Sequence, residues 1–510
     1  MTQQSDQHWL HQASSWLEEE QSNQATSTLI SAIQNAEESE LEVLVDMILQ
    51  KDLADKLVAT RARKLVQHLA SRLVSLARPI IPAQTLEELY RKIASVDPTA
   101  GGHTLQCLAA QADPDSLATL ADLLANQPPD SWQTVALAVS PLWRLDQAGL
   151  SLFFDSLEGS TIQPSTLTVL LDLANHSVRT GKVQQHPWLD RNADMSKLLS
   201  QVVVHLEKLQ SDPRQYGSTV EAVQKVLGDS VALTVSLCDT LGLIGLPENT
   251  KALEEAMGLA HRRIQAEAAA ALARMGQENG IARLVSLAAD PVCRSRVVRY
   301  AEELELSGAI AEQYRFPQAL AESELASWLA SPEQYGFPPS SIEHLETRTL
   351  YWPGYDEPRD CYLFKFTYQL PQGSFSNIGV AGPTTKAFAC DISELSRDDQ
   401  YALFAGWQVD HDEIYEVPRA EFNSSQRAEA ERLASLMSMS GYSVDSMIAL
   451  TFMLGESALL AKLSKDNQTY FGISDGESSV SLPSSSSPTG YTPDIVLALY
   501  RGRKLLKAFN

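Results

Sequence analysis

The chain has 510 residues, with 40 Lys and Arg against 64 Asp and Glu, a formal net charge of −24. That length allows several domains with ample core, and the acid excess argues against a nucleic-acid-binding face, which would have to neutralise phosphates. Five scattered cysteines (Cys107, Cys238, Cys293, Cys361, Cys390) form no CxxC pair and read as reduced residues of a cytoplasmic protein.

Met1 to Glu20 is polar and acidic, without the cationic start and apolar run of a secretory signal. Residues 1–95 read as a helical region. Leu41, Val43, Leu44, Met47 and Ile48, then Leu53, Leu57, Leu65, Leu69 and Leu73, recur at three- and four-residue spacing. The acidic runs at Glu18–Glu20 and Glu37–Glu38 read as solvated faces, as does the basic group Arg61, Arg63 and Lys64. From Asp97-Pro98 onward, Asp-Pro recurs at Asp113, Asp212 and Asp290, each time ahead of a helical pattern. Asp suits the helix N-cap, and Pro the first helical position, where a missing N–H costs nothing. Leu117–Leu124, Val135–Leu145, Leu167–Leu173 and Leu198–Leu209 fit degenerate helix pairs of about 35 residues. Ser177 to Ser196 reads as a polar loop.

The repeat is clearest over residues 229–290. Laying Leu241-Gly242-Leu243-Ile244-Gly245 over Leu272-Ala273-Arg274-Met275-Gly276 also aligns Leu233, Val235, Leu237 and Cys238 with Ile264, Ala266, Ala268 and Ala269. A looser third copy puts Leu304 and Gly308 in the places of Leu272 and Gly276. Each unit reads as a helix, a Gly-marked turn and a second helix, and such pairs bury their apolar faces only by stacking. Val231 to Leu246, the most apolar stretch, reads as a buried helix pair rather than a membrane span, being interrupted by Asp239.

Ala266 to Gly276, followed by Ile281, Leu284, Val285 and Leu287 and closing on Asp290-Pro291, resembles a HEAT repeat. The variant it is most similar to is the short one of bacterial phycobilin-lyase-like proteins, over roughly 110–330. The resemblance implies an α-solenoid, a superhelix of helix pairs, across 96–330. It also implies two functional classes: a scaffold presenting a concave surface to a protein, or a lyase-like protein handling a linear tetrapyrrole.

The character changes at Ser331-Pro332, where prolines gather around Tyr351, Trp352 and Tyr355. Cys361 to Tyr368 has the aromatic and β-branched density of a strand, with a turn at Gln372-Gly373, a return strand over Phe375–Val380 and a third over Ala387–Ile392. Asp398 to Trp407 reads as a short helix. Residues 335–418 are thus expected to form a small α+β domain. The region 419–510 should hold helices at Ser425–Leu436 and Val444–Leu454, and a hairpin turning at Asp466-Asn467. A disordered Ser/Pro-rich linker over 478–490 and a terminal basic helix from Thr492 should follow. The fold class is therefore mainly α, a HEAT-like solenoid followed by a smaller α+β C-terminal region.

The densest group of potential metal ligands is Asp410, His411, Asp412 and Glu413. Oxygen and imidazole donors suit a divalent cation, and a His beside a carboxylate suits a general base. Consecutive residues point apart, however, so the favoured reading is a solvated turn, with a metal-dependent enzyme in 335–418 as the alternative. Gly379 to Lys386 lacks phosphate-loop spacing, and Pro383 removes a donor N–H. His176 and His186, with Asp190 and Asp194, lack zinc spacing, and His205, on an apolar helix between Val204 and Leu206, reads as packed in a core or groove. Tyr351, Trp352, Tyr355 and Trp407 are candidate partner anchors, or else cap the open end of the solenoid. Arg501, Arg503, Lys504 and Lys507 either complement the dipole of the last helix or dock it into an acidic groove. The expected function is non-enzymatic: a cytoplasmic scaffold or adaptor whose acidic concave face takes a basic or amphipathic protein segment. No catalytic residue, cofactor, nucleic acid or membrane partner is expected.

Overall fold

In the computed structural model, which describes residues 8–18, 23–76, 78–371, 373–484 and 490–510, the chain is mainly helical. Its strands are gathered in a C-terminal antiparallel two-sheet region. Met1–Gln7, residues 19–22, Ala77, Gln372 and residues 485–489 lie outside the described residues, and with them part of one acidic run, of one turn and of the Ser/Pro-rich segment. Contacts divide the chain once, between Leu284 and Val285, whereas composition places boundaries near 95, 330 and 418.

The first unit holds α1 (His8–Glu18), α2 (Asn23–Asn35), α3 (Glu38–Leu49), α4 (Lys56–Leu76), α5 (Ala83–Ile93), α6 (Pro98–Gln111) and α7 (Pro114–Asn126). It continues with α8 (Trp132–Val139), α9 (Gln147–Asp155), α10 (Pro164–Arg179), α11 (Asn192–Ser211), α12 (Val220–Ile244), α13 (Thr250–Met257) and α14 (Arg262–Arg274), and α15 (Glu278–Leu287) crosses the division. Each even-numbered helix from α2 to α14 packs on the next even one. The odd helices α1 to α9 do the same, and α11 packs on α13.

Two of the expected Asp-Pro caps here form as drawn. The Asp97 side chain accepts from the Ala100 N–H, and Asp113 accepts from those of Asp115 and Ser116. Asp212-Pro213 does not start an α-helix; it opens a short 3-10 turn, Pro213–Gln215. Gly245 and Gly276 sit just past α12 and α14 at φ 72° and 74°, the left-handed position that ends a helix. The stretch Val231–Leu246 is not a helix pair. It lies mostly within the single helix α12, the one helix among the described residues long and apolar enough to cross a membrane, and 61% of its most apolar window is buried within the protein. The polar segment Ser177–Ser196 is a shorter loop than expected, because α10 runs on to Arg179 and α11 begins at Asn192.

The second unit holds α16 (Pro291–Glu303), α17 (Pro317–Leu329), β1 (Ser341–Tyr351), β2 (Pro358–Leu370), β3 (Gly373–Ala381), β4 (Lys386–Ala387) and α18 (Arg397–Gln408). There follow β5 (Ile414–Pro418), α19 (Ser424–Met439), β6 (Ser443–Met453), β7 (Glu456–Lys465), β8 (Gln468–Ser474), β9 (Ser479–Pro483) and α20 (Pro493–Phe509). After α16 the expected third repeat copy departs from its template: the left-handed residue is Glu305, and Gly308 lies in a 3-10 turn.

The sheets run β1-β2-β3-β4 and β5-β6-β7-β8-β9, both antiparallel. Between them lie α18 and α20, which join Cys361, Leu363, Ile378 and Val380 of one sheet with Ala458, Leu460, Ile473 and Val480 of the other in a single core. Outside the first sheet, α17 packs Ala321, Leu325 and Leu329 on Tyr362, Phe364 and Phe366. Outside the second, α19 packs Leu433 and Met437 on Leu459, Ala461 and Leu463. Alternate residues of β2 and β7 therefore meet different helices, and strands covered on both faces read as continuous apolar runs.

From α17 on, the unit is the same structure twice: helix, four strands, helix. Tyr362, Leu363 and Phe364 lie opposite Ala381, Val380 and Gly379. Leu459, Leu460 and Ala461 lie opposite Ser474, Ile473 and Gly472 in the same register. A bulge between His344 and Glu346 precedes the residue opposite Leu363, and a bulge between Met447 and Ala449 precedes the residue opposite Leu460. Two expectations fail in the second copy. Val444–Leu454 is not a helix but strand β6, whose apolar run is paired on both edges. The 478–490 linker includes β9, held by pairing of Val480 with Ile473 and Leu482 with Phe471. In the first copy the strand expected over Ala387–Ile392 is only β4, Lys386–Ala387.

Candidate functional site

Two residues of the expected ligand cluster, Asp410 and His411, and three of the four expected aromatic anchors come together at one cavity of the second unit, about 370 Å³ in volume. Tyr351, Trp352 and Tyr355 form its wall on the β1–β2 turn. Asp410 and His411 close it from the segment after α18, and Leu454, Leu505 and Phe509 complete it from the second copy.

Trp352 is almost fully buried, and its indole N–H donates to Gln408 Oε1 at 2.8 Å, fastening the turn to the end of α18. Tyr355 donates its hydroxyl to the Pro383 carbonyl at 2.9 Å, and Arg359 lies 5.3 Å from its ring centre. Tyr351, Tyr355, Leu454 and Phe509 are 47%, 38%, 47% and 59% exposed, a concentration of large apolar side chains at one opening. Asp410 is the acidic residue of the lining, and exposed acids stand next to lining residues in the chain: Asp356 and Glu357 after Tyr355, and Asp412 and Glu413 after His411.

His411 Nδ1 accepts the Glu413 backbone N–H at 3.1 Å, so Nε2 carries the proton of the neutral ring. The Ile414 N–H donates to the His411 carbonyl at 2.8 Å, making the segment a turn. No three His, Cys, Asp or Glu side chains among the described residues are grouped to hold a metal. Asp412 and Glu413 do not line the cavity, and neither does Trp407, whose ring carries Lys386 Nζ at 4.0 Å. Sequence reading missed Leu454, Leu505 and Phe509. The last two share one stripe of the terminal helix at i, i+4, a signal that was legible; Leu454 was hidden by reading β6 as a helix.

Other candidates are accounted for structurally. His186 is buried: its Nδ1 accepts the Trp188 N–H, and Nε2 lies 2.9 Å from Asn175 Oδ1, which also accepts from Thr240. Burial lowers its pKa to about 4. His205 stacks edge-on against Tyr216. All five thiols are buried, and burial raises the pKa of Cys361 to about 12, which leaves it protonated at neutral pH. The terminal helix docks on acids of its own unit: Arg501 on Glu416 at 3.1 Å, Arg503 on Asp399 at 2.6 Å, and Lys504 on Asp475 at 2.5 Å and on Glu456.

Comparison with protein-family models, with curated proteins and with solved structures returned no match for this chain.

Proposed function

We propose that the protein is a non-catalytic adaptor that binds a basic or amphipathic segment of another protein. The observation that carries this reading is the cavity: mainly apolar and aromatic, with Asp410 in its lining and exposed acids beside the lining residues in the chain, and open through four half-exposed apolar side chains. Such a site suits one apolar anchor flanked by Lys or Arg, the pattern of a buried hot spot within a polar rim. Asp410 and the exposed acids that neighbour the lining in the chain steer cations and make binding salt-sensitive.

The helical first unit fits the same role. Its two rows of successively packed helices, with Gly-ended repeats at α12 and α14, support the reading of an α-solenoid of HEAT type. Affinity capture from native lysate tests the proposal, using the full chain and a Tyr355→Asp variant at low and moderate salt. A protein held by the wild type, released by salt and lost by the variant supports it. Equal capture by both baits, or none, counts against it.

A further inference from the structure

We infer that the outer edge of β1, over Glu346–Leu350, is an acceptor for an extended strand from a basic partner segment. The inference rests on the protein-binding reading above and names a second contact for it beside the cavity.

The argument comes from the duplication. In the second copy, the strand equivalent to β1 is β6, and its outer edge is covered: Ile414–Pro418 pairs antiparallel with Ala449–Met453. The matched bulges and registers make Glu346–Leu350 the equivalent of Ala449–Met453. Yet β1 is the end strand of its sheet, and no described strand pairs with its outer edge. Tyr351 shows which way that edge faces. Its backbone N–H donates to Asn510 Oδ1 at 2.7 Å, and its carbonyl accepts from Asn510 Nδ2 at 3.4 Å, so both groups point away from β2. The equivalent Leu454 likewise donates its N–H outward, to the Glu413 carbonyl. Strand alternation then turns the backbone N–H and C=O of Thr349 and Thr347 outward as well, and both residues are exposed.

The Asn510 carboxamide thus meets Tyr351 as a strand's peptide group would, and the next two outward positions are open to a strand. Exposed edges of this kind bind peptides by strand addition. An added strand antiparallel to β1 would start beside Tyr351, where Asp410 lines the same cavity and the β1–β2 turn carries the exposed acids Asp356 and Glu357. The occupant fitting both features is an extended segment of about five residues with cationic residues ahead of it.

The chain supplies its own probe: a synthetic peptide with the sequence of Ile414–Pro418 behind two lysines, titrated into the full-length protein. Fluorescence anisotropy should show saturable binding, and hydrogen exchange at the Thr347 and Thr349 amides should slow in the complex. Thr349→Pro removes an outward N–H and no backbone hydrogen bond between β1 and β2, although it also loses the Thr349 hydroxyl's bond to Asp360 Oδ1 at 2.6 Å. A folded variant should bind at least tenfold more weakly, and Thr349→Val, which loses the hydroxyl alone, should bind as the wild type does. If Thr349→Pro fails to fold, the exchange measurement on the wild type decides. Absence of binding, binding without slowed exchange at Thr347 and Thr349, or unchanged affinity of a folded Thr349→Pro would each overturn the inference. So would a homodimer that Thr349→Pro dissociates, since the occupant would then be a second copy. Lysate capture that survives Thr349→Pro while the peptide fails would sink the edge alone; peptide binding with no lysate partner would instead count against the adaptor reading.

Discussion

Gly406 of α18 and Gly502 of α20 occupy matching places in the two copies, and neither has room for a side chain. A Cβ on Gly406 would overlap the Ala498 carbonyl and crowd the Gly502 nitrogen, and a Cβ on Gly502 would overlap the Ala402 carbonyl and crowd the Gly406 nitrogen. The contact is reciprocal, as expected at a local two-fold axis. The cavity draws on matched places in both copies: the hairpin turns at Tyr351 and Leu454, and the ends of α18 and α20. The turns differ in length, Trp352–Glu357 against Leu454-Gly455, so the cavity is asymmetric.

Alanine at either glycine should therefore destabilise the second unit. Gly to Ala inside an exposed helix ordinarily stabilises by about 1 kcal/mol. Here the overlap with backbone should reverse the sign and cost about 1–3 kcal/mol, the usual range for overpacking. Urea unfolding of Gly406→Ala and Gly502→Ala checks this. A stabilised variant would contradict the close crossing.

His186 should make the first unit acid-labile. Its folded pKa of about 4 lies below the ordinary value of 6.5, because burial disfavours the charged ring. The unfolded chain thus binds the proton more readily, so the contribution is whole above pH 6.5 and is lost as pH falls towards 4. At 1.36 kcal/mol per unit, the loss is about 3 kcal/mol. His186→Gln should be less stable at pH 7 but show a flatter dependence between pH 6.5 and 4. Parallel profiles for variant and wild type would refute the assignment.

Asp475 should act lower on the pH scale. Burial by itself raises its pKa, but Lys504, the backbone N–H groups of Ser478 and Glu477 and the Tyr500 hydroxyl together outweigh burial and hold it at about 2. Its contribution is present above the ordinary carboxylate range and fades as pH drops from about 4 to 2. Asp475→Asn weakens the charged hydrogen bonds that fasten the terminal helix, and should cost about 1.5–3 kcal/mol at pH 7. Calorimetry at pH 7 and pH 3 should find the difference between variant and wild type smaller at the lower pH.

Trp352 and Tyr355 should separate stability from binding. Trp352→Ala empties a fully buried site and should cost about 3–5 kcal/mol. Tyr355→Asp alters a half-exposed ring and should leave the unfolding midpoint nearly unchanged while weakening partner binding. If thermal melts move equally for both, Tyr355 is structural.

Local signals in the sequence were read well where one residue type has one physical use. Asp97-Pro98 and Asp113-Pro114 start helices, Gly245 and Gly276 end them, and Asp466-Asn467 turns the β7–β8 hairpin with both residues at positive φ. The duplication was not legible, because it is held by register more than by identity: Tyr362-Leu363-Phe364 and Leu459-Leu460-Ala461 share only the central Leu and an apolar character. β6 reads as a helix in the sequence because Met447 to Leu454 is apolar but for Thr451, and periodicity cannot separate a doubly covered strand from a buried helix. Sequence placed Tyr351, Trp352, Tyr355, Asp410 and His411 among the candidates, but as two unrelated groups. Only the fold brings them to one opening with Leu505 and Phe509.

The most direct test of the central claim is hydrogen exchange, read by mass spectrometry, on the full chain with and without the protein it captures. The account predicts slowed exchange across 351–357 and 408–413, weakening as salt is raised. Unchanged exchange in both segments, with protection elsewhere that salt does not affect, would contradict it.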